Sequence, residues 1–166
     1  MIIKGYIENT LKELDRLYNK HTSLKKDIYY SKLAVIELCG WIEETCDAIV
    51  KDSTYSKLKT DESKTTLKDT IIRTYGFKYI ANFRPMLITA FGLIKIEEIQ
   101  TKLEQNGGQV TLLKSFLGNL TTIRNQNAHT FIRGTTTTIQ TPSITLNNFY
   151  TIYNILKRIE SEVKNI

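Results

Sequence analysis

The sequence predicts an all-α protein, an up-and-down bundle of five or six helices with a short extended arm or hairpin before the last one. Three observations carry this. Apolar residues recur at helical spacing through most of the chain. Only two prolines and eight glycines interrupt 166 residues. The connections between periodic segments are short except for one.

The first helix is expected from Ile2 to about Asn19, with Ile3, Ile7, Leu14 and Leu17 or Tyr18 on its apolar stripe and Lys4, Glu8, Lys12 and Asp15 outside it. His21 follows in a polar turn and reads as an exposed turn residue. The second helix starts after Leu24 and runs to about Val50. Its apolar arc is wide, with Leu33, Val35, Ile36, Leu38, Trp41, Ile42 and Ile49, which implies contact with several neighbours. Trp41 reads as core. Asp52 to Thr66 is polar and aperiodic, and is expected to be a mobile loop. Leu67 to Tyr75 makes a short helix ended by Gly76.

Pro85 then falls in the first turn of a long helix carrying Leu87, Phe91, Ile94 and Ile99, which stops at Asn106-Gly107-Gly108. The next helix spans Gln109 to Asn125. Thr130 to Gln140 is rich in β-branched residues, with Gly134 as a turn, and is the expected arm or hairpin. Pro142-Ser143 breaks that run. The last helix, about Leu146 to Lys164, buries Phe149, Ile152, Tyr153, Leu156, Ile159 and Val163. No segment on either side of the polar connection can fold alone, so residues 1–166 read as a single domain.

Composition narrows the function. Hydrophobic residues make up 41% and charged residues 24%, ordinary for a globular domain. The N-terminus lacks the apolar core of a signal peptide, and the longest uncharged apolar stretch, Pro85 to Ile94, is too short to cross a bilayer. Cys39 and Cys46 lie about 10 Å apart along one helix, too far for a mutual disulfide. They read as buried thiols in a reducing compartment, so the expected location is cytoplasmic, with no membrane partner. The net charge is +6, and no Asp or Glu occurs between Glu104 and Glu160. Lys114, Arg124, Arg133, Lys157 and Arg158 fall in that span. Such a field favours a polyanionic partner, although a chance gap in a Thr/Asn-rich stretch gives the same pattern.

The chemistry-bearing stretch is Arg124-Asn125-Gln126-Asn127-Ala128-His129. Leu113, Leu117 and Leu120 form one buried row, and Arg124 is the next position in it. A guanidinium there needs an anion, a subunit partner or a structural acceptor. Arginine offers a rigid fork for phosphate oxygens, and histidine titrates near neutral pH. Glu37, set among apolar neighbours, either pairs with Arg124, helps to line the site, or sits at the boundary with its carboxylate in solvent. Rival constellations are absent from the sequence. There is no Cys/His set at zinc spacing, no Asp-x-Asp cluster, no nucleophile motif and no P-loop, so no metal or cofactor is expected. Glu43-Glu44 and Glu97-Glu98 read as solvated charge.

This Arg-x4-His segment resembles the signature of the HEPN superfamily, and Leu33 to Glu44 is similar to the early core helix of stand-alone members. The resemblance implies a compact helical domain that dimerises and a metal-independent ribonuclease of toxin or antiphage type, acting on tRNA or mRNA. Carried over to this chain, it makes Arg124, His129 and Asn125 the catalytic set, with Arg133, Glu37 and Asn127 as candidate substrate contacts. An i, i+5 pair lies about 140° apart on a regular helix. Either the helix ends or distorts at Asn125–Asn127, swinging His129 back, or two chains form a composite cleft across a two-fold axis. The expectation is such a homodimer. Toxins of this family usually continue to a tyrosine that an antitoxin can modify. Here Phe131 stands in that place, which leaves silencing by a binding antitoxin, or activation through a sensor protein, as the expected control. Two other readings remain: a non-catalytic nucleotide- or RNA-binding module, and a helical adaptor in which Arg124 is a buried ion-pair partner of Glu37.

Overall fold

The computed structural model describes residues 2–20, 23–128 and 139–166. Within these the protein is all-helical, with no strand and seven α-helices: α1 Gly5–Asn19, α2 Leu24–Thr54, α3 Asp61–Ile72, α4 Arg84–Phe91, α5 Leu93–Gln105, α6 Gln109–Ala128 and α7 Pro142–Lys164. The expected arm or hairpin, His21, His129 and Arg133 lie outside the described residues.

Helix α2 is the axis of the bundle. Ala34, Val35, Leu38, Cys39, Ile42, Cys46, Ile49 and Val50 are all buried. Helices α1, α4, α6 and α7 pack around it. At about 25 cal/mol per Å² of apolar surface, covering such an arc is the main driving force for assembly. Leu33 and Ile36 differ from the expectation and stand partly exposed.

Helix α1 runs antiparallel to both α2 and α7. The Trp41 indole N–H donates to the Ile3 carbonyl at 2.9 Å, and the ring meets Phe149 edge-on with centroids 5.1 Å apart. Tyr150 donates to Glu8 from the other side at 3.0 Å. Ile3 itself is not core, since α1 begins at Gly5 and leaves its side chain exposed.

The connection expected as a mobile loop is mostly helix. α2 continues to Thr54, a 3-10 turn spans Tyr55–Lys57, and α3 begins at Asp61. Thr60 caps α3 by accepting the Ser63 N–H at 3.2 Å, with Asp61 and Glu62 in the first turn. The long helix expected from Pro85 to Gln105 is two helices. Gly92 breaks it with φ of 88° and ψ of 151°, a conformation that is essentially glycine's alone. The glycine stop after α5 agrees with expectation, with φ positive at Gly107 and Gly108. Helix α7 starts four residues earlier than expected, because Pro142 initiates it rather than ending what precedes it.

One buried carboxylate fastens the two ends of the chain. Glu160 is 3% exposed. It accepts from Lys157 and Lys164 at 2.7 Å each and from the Ile2 backbone N–H at 3.2 Å. Burial alone would push its carboxyl up, but the hydrogen bonds from the Lys157 and Lys164 ammonium groups outweigh this and hold it at about 2. Its contribution is therefore complete above the ordinary carboxylate pKa and is lost as pH falls from about 4.5 towards 2. That loss amounts to about 3 kcal/mol. Urea melts should show Glu160→Gln about 2 kcal/mol less stable at pH 7, with the gap narrowing by pH 3. A gap that stays constant with pH would contradict the assignment.

Candidate functional site

Where α2 and α6 cross, the Cys39 thiol lies 3.9 Å from the Leu120 carbonyl. One turn further along both helices, Glu43 meets Arg124, with 3.9 Å between carboxylate and guanidinium. Leu113, Leu117 and Leu120 are buried as the row requires. Arg124 continues it as a half-buried side chain, 34% exposed. Its acidic partner is therefore Glu43, not Glu37. Glu37 lies six residues earlier on α2 and, at 100° per residue, points elsewhere around the helix.

The third wall is the turn before Tyr79–Phe83. Gly76 takes φ of 97°, which favours glycine, and its N–H donates to Glu43 at 2.7 Å. Asn82 clasps this turn by donating to the Tyr75 carbonyl at 2.9 Å and accepting the Lys78 N–H at 3.0 Å. The turn delivers Phe77, itself buried, beneath the guanidinium, with the Arg124 Cζ 5.7 Å from the ring centroid. Tyr79–Phe83 is one π-helical turn, marked by the Phe83 N–H bonding the Lys78 carbonyl five residues back.

Of the six residues proposed from sequence, the structure brings Arg124 and Asn125 together: the arginine Nε–H donates to the Asn125 Oδ1 at 3.3 Å. Asn125 is exposed, whereas Asn127 is buried on the row that holds Leu120 and Arg124. Burial places Asn127 in the protein rather than on an open face. Helix α6 stays helical through Asn125, Gln126 and Asn127 to Ala128, the last residue described before His129, so the alternative of a distortion at Asn125–Asn127 is not seen. His129 and Arg133 follow beyond the described residues.

Sequence reasoning missed Glu43, Gly76 and Phe77. Glu43 carried a usable signal: it lies one turn after Cys39 on the face that α6 covers. Phe77 carried none, because only the turn geometry brings it under α6. Of the cations in the acid-free span, Lys157 is taken up by Glu160 and Lys114 lies over the Tyr79 ring at 5.8 Å.

The electrostatics of α2 are unusual beside this cation. Asp47 follows Glu43 by one turn on the same face. Burial raises its carboxyl first, and the negative Glu43 and Glu44 raise it further, to about 6. Burial likewise pushes the Cys39 thiol up to about 12, only partly offset by Arg124, so this cysteine is a packing group and not a nucleophile. Among the described residues no group of three His, Cys, Asp or Glu side chains comes together to hold a metal ion.

A carboxyl raised in the folded state favours folding more at low pH and costs stability as pH rises from about 4 through 6. Asp47→Asn should therefore raise stability at pH 7, by about 2 kcal/mol after allowance for partial exposure. The gain should vanish below pH 4. Thermal melts across that range check it, and a loss of stability at pH 7 would count against the electrostatic account.

No family model, no curated protein and no solved structure matches the chain.

Proposed function

We propose that the protein is a metal-independent endoribonuclease whose reacting centre is Arg124, Asn125 and His129, contributed by two copies of the chain. The observation that carries this reading is the way Arg124 is held. Its guanidinium rests on Phe77, and its carboxylate contact is long. The same carboxylate makes a shorter bond to Gly76. About a third of the arginine side chain stays open to solvent. A cation held this way is oriented without being used up. An incoming phosphate carries the charge and the oxygen geometry to replace Glu43 on the fork.

The chemistry follows from the residues. His129 takes the proton from a ribose 2′-hydroxyl, and the 2′-oxygen attacks the adjacent phosphorus. The bond to the 5′-oxygen breaks, and that oxygen receives a proton from the second copy's histidine or from water. Arg124 stabilises the added negative charge on the phosphorus oxygens as it develops. Asn125 orients the arginine. The products are a 2′,3′-cyclic phosphate and a 5′-hydroxyl, and DNA is inert because it lacks the nucleophile. The resemblance noted above adds the biological setting of a toxin or antiphage effector, restrained by a partner protein or released by a signal.

One structural observation favours a second reading. Glu43 ties Arg124 to the Gly76 turn, which is what a helical adaptor with a purely structural arginine would also show. The two readings separate in one experiment. Purified wild type is incubated with end-labelled total RNA in excess EDTA, beside Arg124→Ala and His129→Ala. The nuclease reading expects cyclic-phosphate ends from wild type and a fall of at least about a hundredfold in each variant. Intact RNA throughout, with a strongly lowered melting temperature in Arg124→Ala alone, would establish the adaptor instead.

A further inference from the structure

A groove of about 350 Å³ lies between the end of α2 and α3. Leu67 and Ile71 line it, together with Tyr55, Ile72, Lys51 and Lys68. Three features set it apart from an ordinary helix–helix seam. First, large apolar side chains stand open there: Tyr55 is 47% exposed and Ile72 is 56% exposed. Second, neither Lys51 nor Lys68 is paired with a carboxylate among the described residues, whereas nearby Asp69 is engaged by Arg73 at 3.3 Å. Third, both helices that form the groove connect to the Glu43–Arg124 contact. Lys51 lies two turns beyond Glu43 on α2, about 12 Å along the axis. α3 feeds into the turn whose Gly76 binds that same Glu43. Tyr75, 83% exposed, immediately precedes Gly76.

An open tyrosine beside two unneutralised cations, with a second open tyrosine on the turn that follows α3, matches one ligand chemistry well. Bases stack on the rings while phosphates meet the ammonium groups, and neither contact depends on sequence. A duplex has no free base faces to offer such a surface. We infer that the α2–α3 groove, with Tyr55, Lys51 and Lys68, and Tyr75 on the turn beyond α3 together form a binding track for single-stranded RNA that leads the strand to Arg124. The inference rests on the ribonuclease reading for its direction, and it names the substrate class as unpaired RNA.

The test is equilibrium binding of the full chain to a fluorescein-labelled 2′-O-methyl oligouridylate of about twelve nucleotides, read by fluorescence anisotropy. The missing 2′-hydroxyl makes this probe uncleavable, so binding is read apart from catalysis. Tyr55→Ala and Tyr75→Ala should each weaken binding about tenfold, and Tyr75→Trp should restore it. Lys51→Ala and Lys68→Ala should weaken it less and should each flatten its salt dependence. Lys12→Ala, on the face of α1 beside α7, removes the same charge and should leave it unchanged. Unaltered melting temperatures confirm that the variants are folded.

Wild type that does not bind the probe overturns the inference, as do tyrosine variants that bind like wild type. Displacement of the probe by polyglutamate at equal charge would show a groove that reads charge alone and suits an acidic protein partner, which also overturns it. Tyrosine-dependent binding by a chain that cleaves no RNA would leave the track standing and remove the nuclease. Cleavage that needs Arg124 but is indifferent to both tyrosines would do the reverse.

Discussion

A 31-residue helix with apolar side chains over a wide arc is not stable in water until other elements cover it. That constraint on α2 organises the protein. Its first half is covered by α1 and its middle by α6 and α7. Trp41 marks the junction, with its indole N–H satisfied by the Ile3 carbonyl and its ring packed on Phe149 and Tyr153. α2 has 31 residues against 12 in α3, and its C-terminal half extends alongside α3 and the turn at Gly76. The candidate site and the groove are both built on that half.

Glu43 connects this packing to chemistry. It holds three separate pieces of chain in register: its own helix, the Gly76 turn and the end of α6. A half-buried carboxylate is retained at such a position only if its oxygens are met. The Gly76 amide meets one need in full, and Arg124 the other incompletely. The incomplete contact matters, because a short two-bond pairing would have neutralised the guanidinium. The long contact over an aromatic face leaves a cation whose position is fixed by packing and whose charge is still available.

The parts of this arrangement that could be read from the sequence are those set by local periodicity. Leu113, Leu117 and Leu120 specify the row on which Arg124 sits, and the Gly107-Gly108 pair specifies where α5 must stop. The Gly92 break stayed hidden because apolar residues on both sides continue the helical pattern. The residue that interrupts the helix is a single glycine, which helices also tolerate. The start of α3 was hidden by polar composition, although Thr60-Asp61-Glu62-Ser63 holds a capping residue and acidic first-turn residues. Glu37 stands out in the sequence more than Glu43 because its neighbours are apolar. Apolar neighbours report burial of a helix as a whole, not which side chain points at a given partner. The placement of Phe77 depends on a left-handed glycine, an asparagine clasp and a π-turn acting together, and no sequence period encodes that combination.

The charge layout of α2 follows from the same geometry. Glu43, Asp47 and Lys51 fall at successive turns of one face, so the surface changes from anionic near Arg124 to cationic at the groove within about 12 Å. An extended polyanion would meet free ammonium groups first and a guarded arginine second. Since Asp47 stays protonated up to about pH 6, the guard strengthens as pH rises through that value, when a second carboxylate joins Glu43 on the same face. Glu43 faces Arg124 at 3.9 Å, and on the proposed reading the carboxylates beside it would oppose entry of an anion. If the proposed reading holds, a ligand offering several phosphates and held first at the groove would displace the carboxylate more readily than a single phosphate. On the proposed reading, this order of charges along one helix would favour a chain over a free nucleotide without hydrogen bonds to any particular base.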